Sequence, residues 1–278
     1  MRMSFHWLLA PLFLWGFALA GAPLSAGALL GFVALHLFLY PGATAFNGAY
    51  DRDSGPVSGL DAPPPVPPGL LAFSLALQLA GAALAAAAGA AFLLVYLLIA
   101  LVFVGYSHPL TRWKARPLAS ALAVAVGQGA LGVVAGWAAA TGALPPLTGL
   151  AAAGVFAGAL TTLGLYPSTQ IFQVEEDSAR RDRTLAVALG PAGALRLGAL
   201  CLALAAPAAV FATHRLASPL ESVLAVAAYI LLILRHLTFA PVVERQPPDA
   251  LYGWAAATRW TATAAFLGFL ALLILRGP

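Results

Sequence analysis

The sequence predicts an all-α polytopic membrane protein of nine transmembrane helices forming a single domain over residues 1–278, and three observations carry that reading. Charged residues make up 9% of the 278 and hydrophobic ones 62%, against about 25% and 45–50% in soluble domains. Mean hydropathy is +0.91. The apolar residues run in stretches long enough for a helix to cross a bilayer, which takes about 20 of them. A soluble domain is excluded. The pI of 9.6 rests on a net charge of only +4, so the expected surroundings are membrane lipids and not nucleic acid.

The stretches fall at 6–22, 26–47, 69–88, 89–107, 117–139, 146–170, 190–212, 219–240 and 254–275. The first follows Arg2 and ends in Ala-Leu-Ala-Gly, the outline of a secretory signal; its early Pro11 and the charge balance described below argue for a retained span. Between the second and third lies Asp51 to Pro68, whose prolines cannot continue a helix. The third and fourth meet around Ala86 to Gly89 within one unbroken apolar run.

Orientation follows from the basic residues, which collect on the cytoplasmic side of membrane proteins. With the N-terminus inside, that face receives Arg2, Arg52, Arg112, Lys114, Arg116, Arg180, Arg181, Arg183 and Arg245, with Arg235 and Arg259 in the flanking helices. Arg215 and Arg276 stay outside. The layout is therefore N-in and C-out.

The acids are more informative, because topology alone requires them nowhere in particular. Nine of the ten lie in three inner segments: Asp51, Asp53 and Asp61; Glu175, Glu176, Asp177 and Asp182; Glu244 and Asp249. Mixed acidic and basic clusters at one face of so charge-poor a chain point to a site for a polyanion with bridging metal. Asn47 and Asp51 are four residues apart, on one helical face, and Gln173 and Asp177 repeat the spacing at the end of the sixth span. Carboxylate and amide oxygens are hard ligands suited to Mg²⁺, so two facing half-sites are expected to hold a diphosphate between two ions. Glu176, about 100° from Asp177 around the helix, reaches inward as well. Asp53 joins the set if the helix continues past Asp51, although Gly55-Pro56 marks its end nearby.

Thirteen of the 14 basic residues are arginine, and Lys114 is the exception. A single lysine in an arginine-rich chain suggests a place for a compact ammonium, which meets phosphate as a point charge. Arg112 shares its segment; Arg180, Arg181 and Arg183 follow the second acidic cluster. The five histidines show no metal-ligand spacing, and Cys201, in an apolar run, reads as packing.

Three segments, in this order, resemble the UbiA superfamily of intramembrane prenyltransferases: Asn47-Gly-Ala-Tyr-Asp51-Arg-Asp53; Tyr106-Ser107 with Lys114; and Gln173-Val-Glu-Glu-Asp177 followed by Arg183-Thr-Leu-Ala-Val-Ala-Leu-Gly190. The resemblance implies a ring of nine helices around a lipid-open cavity, with the active site at the cytoplasmic face of a cell membrane, prokaryotic in kind. It implies Mg²⁺-dependent transfer of a prenyl group from an isoprenyl diphosphate to a lipophilic, aromatic acceptor. In the implied site Asn47, Asp51, Asp53, Gln173, Glu176 and Asp177 hold the metal. Asn47, Tyr106, Ser107, Arg112, Lys114, Arg180 and Arg183 bind diphosphate, and Asp51, Asp177 and Lys114 carry catalysis. The family patterns Asn-Asp-x-x-Asp-x-x-x-Asp and Asp-x-x-x-Asp lack three acids here, at Gly48, Gly55 and Gln173. A membrane terpene cyclase or a non-catalytic isoprenoid-binding protein would share the remaining features.

Overall fold

The computed structural model describes residues 6–53, 55–146 and 148–275; Arg2 and Arg276, used in the charge balance, lie outside them. Every regular element among the described residues is helical, apart from a single β-bridge pair, Val57 with Leu60. Eight helices are long and apolar enough to cross a membrane, and a shorter apolar helix precedes them. In chain order these are α1 (Ala10–Ala20), α2 (Ala26–Asp51), α3 (Leu70–Ala88), α4 (Ala90–Ser107), α5 (Pro117–Thr141) and α6 (Gly149–Leu165). A six-residue helix, α7 (Val174–Ala179), follows, then α8 (Leu185–Leu216), α9 (Pro219–Phe239) and α10 (Pro248–Leu275).

The stops are local chemistry. Gly89, with φ 132° and ψ 159°, breaks the apolar run between α3 and α4, a backbone conformation that glycine tolerates and that lets the chain turn without a polar loop. Thr184 caps α8, its hydroxyl accepting from the Val187 N–H at 3.4 Å. The seventh span therefore starts at Leu185, five residues before the expected 190, and bends at Gly190-Pro191.

Consecutive spanning helices pack as neighbours, and α10 returns against α1 to close a ring. Large apolar side chains such as Leu79, Leu101, Leu118 and Leu200 remain exposed on its outside, as expected for surfaces solvated by lipid tails. Inside, α1 and α5 touch backbone to backbone: a Cβ at Gly16 would lie 1.8 Å from the Val133 carbonyl oxygen, and one at Gly136 1.9 Å from that of Phe13. Small residues permit such approach in membrane helices. Gly136→Ala must push the pair apart and is expected to cost at least about 1–3 kcal/mol of stability, read as a lower unfolding midpoint of the purified protein in detergent.

Candidate active site

One end of the ring gathers the sequence motifs around a cavity of about 230 Å³. Helix α2 carries Asn47 and Asp51 on one face and ends there, with Arg52 in the left-handed conformation at φ 50°. Asp53 thus lies beyond the helix. The second motif departs from expectation: α6 stops at Leu165, a 3₁₀ turn spans Tyr166–Thr169, and Gln173 begins the separate helix α7. Gln173 and Asp177 keep their i, i+4 relation through the Asp177 N–H to Gln173 carbonyl bond of 2.8 Å. The motif is a short helix in the cavity wall and not the tail of a span, since the turn carrying Pro167 separates it from α6.

Asp51 is the most enclosed acid of the group, its side chain 5% exposed. Its Oδ2 pairs with Lys114 Nζ, and its Oδ1 lies 3.7 Å from Arg112 Nη1 yet accepts no hydrogen bond. Lys114 sits on a 3₁₀ turn, Trp113–Ala115, packed under the end of α4. Arg112 grips Asp182 with two bonds, 3.0 and 2.7 Å, and that grip holds its guanidinium above the usual arginine value. Across the cavity Asp177 forms no ion pair among the described residues; burial pushes its carboxyl up to about 6, partly offset by the Thr184 hydroxyl. Arg180 joins the two motifs: Nη1 donates to Asp53 at 2.7 Å, and Nη2 to Glu176.

The remaining predicted residues divide. Asn47, Asp51, Asp53, Tyr106, Ser107, Lys114, Gln173, Asp177 and Arg180 all line the cavity. Asn47 Nδ2 donates to the Ser107 hydroxyl at 3.1 Å, and the Tyr106 and Tyr166 hydroxyls meet at 2.8 Å. Arg112 and Glu176 stand behind that wall, reaching it through Asp51, Asp182 and Arg180. Arg183 is exposed outside it; its backbone N–H bonds the Ala115 carbonyl at 3.0 Å. His108 packs on the rings of Phe46 and Tyr50.

Two residues became visible only here. Asp182, which the sequence placed in an acidic cluster without a role, is the anchor of Arg112. Arg259, counted above as a topology charge, is 7% exposed on the cavity wall, with one bond to the Ser168 carbonyl at 3.2 Å and its Nε unpartnered. The rest of the wall is hydroxyls, amides and apolar side chains, and a second space of about 70 Å³ adjoins it, sharing Pro11, Leu12, Thr161 and Phe266 and lined almost wholly by apolar groups.

Among the described residues no three Asp, Glu, His or Cys side chains converge as metal ligands. The buried, unsatisfied Asp51 Oδ1 and the Asp177 carboxylate on the same cavity nevertheless fit Mg²⁺, which takes one or two carboxylates and completes its shell with water and phosphate oxygens.

The model of the UbiA prenyltransferase family matches residues 9–252, most of the chain. The protein belongs to that family. Solved UbiA homologues share its architecture. The apo homologue from Aeropyrum pernix K1 aligns with a TM-score of 0.66 at 20% identity, covering 96% of this chain and 98% of that one. The Archaeoglobus fulgidus homologue bound to DMAPP and Mg²⁺ gives 0.63 at 20% identity, with 98% and 97% covered. The same homologue with GPP and Mg²⁺ gives 0.60 at 20%, with 98% and 100% covered. No curated protein matches by sequence. At this identity the structures establish the fold of this UbiA-family chain, an integral multi-pass membrane protein, while the family model places it among prenyltransferases.

Proposed function

We propose that the protein transfers a prenyl group from an isoprenyl diphosphate to a lipophilic, aromatic acceptor within the membrane, using Mg²⁺. The observation that carries the reading is a cavity with a charged end, built from Asp51, Lys114, Asp177 and Arg180, that shares part of its wall with an apolar space between helices. A diphosphate fits the first and a prenyl tail the second. Homologues solved with DMAPP or GPP and Mg²⁺ support the pairing.

In this reading Asp51 and Asp177 would hold Mg²⁺, which when bound would neutralise charge on the diphosphate. Lys114 and Arg180 face the diphosphate as fixed cations, stabilising the charge that develops as the C1–O bond breaks and the bonding pair leaves with the diphosphate. Phe103, Leu165 and Phe266 in the wall keep water from the allylic cation. The acceptor supplies the electron pair of the new bond and loses a proton. In this reading the charged end faces the cytoplasm, because the segments that build it carry Arg52, Arg112, Lys114, Arg116, Arg180 and Arg181.

The test is incubation of purified protein with Mg²⁺ and C10 to C20 prenyl diphosphates, with and without lipid extract from its host, and identification of products by mass. A prenylated acceptor and released pyrophosphate are expected. Product without acceptor would make it a cyclase, and lipid binding without pyrophosphate release a non-catalytic protein.

Asp177 adds a pH signature. In the metal-free protein its carboxyl is protonated below about 6, and a proton there competes with the cation. Mn²⁺ affinity is expected to fall as pH drops through about 6, by roughly tenfold per unit for one proton, and Asp177→Asn should flatten that dependence in a Mn²⁺ titration.

A further inference from the structure

The three missing motif acids leave the question of what balances the diphosphate without them. We infer that Arg180 occupies the second cation position between the two motifs, so that the site takes one divalent ion where paired half-sites would take two. The assignment of diphosphate as the ligand rests on the function proposed above; the ion count does not require turnover.

A Cβ at Gly55 would lie 3.2 Å from Glu176 Oε2, tighter than ordinary contact. The carboxylate of Glu176 thus fills the space beside the position where the first pattern expects an aspartate, and the small residue at 55 and the longer acid at 176 complement each other. Asp53, just past the end of α2, is the other acid on that side. Both are engaged by one guanidinium, Asp53 Oδ1 at 2.7 Å from Nη1 and Glu176 Oε1 with Nη2. Arginine keeps its charge at any working pH and binds carboxylates through a rigid planar fork. A second metal would have to displace that cation from both acids.

The other side differs. Asp51, 5% exposed, spends Oδ2 on Lys114, but its buried Oδ1, 3.7 Å from Arg112 Nη1, accepts no hydrogen bond, and Asp177 carries no ion pair among the described residues. Those two carboxylates leave oxygen available for one ion. Gly48 restores nothing: among the described residues, no atom beyond its own stretch of helix lies within 4 Å of where its Cβ would be. Arg180 also lines the cavity, so N–H groups not spent on Asp53 and Glu176 can face phosphate oxygens.

The experiment counts Mn²⁺ bound to the purified full-length protein in the presence of inorganic pyrophosphate, by equilibrium dialysis and electron paramagnetic resonance. One Mn²⁺ per chain with an uncoupled spectrum is expected for the wild type. Arg180→Met removes the guanidinium from Asp53 and Glu176 and should bind a second Mn²⁺ with a spin-coupled spectrum, while Arg180→Met with Glu176→Gln should return to one. Two coupled ions in the wild type would overturn the inference even if Arg180→Met failed to fold. One ion in both wild type and a folded Arg180→Met would equally remove Arg180 from this role. If ion counts follow expectation but no prenyl diphosphate is consumed, the transferase reading fails and the single-ion site stands; two ions with intact turnover is the reverse.

Discussion

Asp51→Asn is expected to lower Mg²⁺-dependent consumption of the prenyl diphosphate in the proposed reaction by at least about 100-fold, the scale seen when one preorganised charge-stabilising group is lost from an active site. Asparagine is nearly isosteric, so the end of α2 and its left-handed cap at Arg52 are left intact. What changes is charge. The buried Oδ1 that accepts no hydrogen bond in the protein becomes a neutral amide atom and a far weaker ligand for a hard cation. Lys114 loses its carboxylate as well. The measurement is release of labelled pyrophosphate, with thermal unfolding as the control for folding. Activity within tenfold of wild type in a folded variant would remove Asp51 from the site.

Lys114→Met is expected to have a comparable effect on turnover and a larger one on stability. Lys114 is 10% exposed and Asp51 5%, and removing one member of so enclosed a pair leaves a buried charge without its partner, at a cost of about 3–5 kcal/mol. Arg112 offsets only part of the loss, because its Nε and Nη2 are committed to Asp182 and its Nη1 stays 3.7 Å from Asp51 Oδ1. Thermal unfolding should therefore show a clear loss in Lys114→Met that is largely recovered in the double variant Asp51→Asn with Lys114→Met. Turnover should stay low in both, since the double variant has neither the ammonium nor the carboxylate. Recovery of turnover together with stability would show that Lys114 only holds Asp51 in place and does not serve the departing diphosphate.

Much of this molecule was legible without its structure. The spans could be read because bilayer crossing is a local property: about 20 apolar residues suffice, whatever the rest of the chain does. Even the break at Gly89 was marked by the one residue type that accepts its backbone geometry. Asp51, Lys114 and Asp177 stood out for a related reason. In a chain with so few charges each must be solvated, paired or functional, so scarcity itself points to a site.

Partnership was not legible, because it depends on distance between residues far apart in sequence. Asp53 and Arg180 are 127 residues apart, and Arg112 and Asp182 are 70 apart; only closing the ring decided that these pair and that Arg183, beside them in the sequence, does not line the cavity. Helix geometry misled where a proline turn intervened, so that the second motif lies on its own short helix instead of extending the sixth span. Arg259 shows the division most plainly. Its hydropathy and position mark it as an interfacial anchor, yet the packing of α10 against the 3₁₀ turn at Tyr166–Thr169 turns its guanidinium into the cavity. Local composition determined that this chain crosses a membrane and where its charges lie along it; which charges meet was decided by the tertiary fold, since ion pairs and hydrogen bonds act over a few ångströms and the sequence orders residues only along the chain.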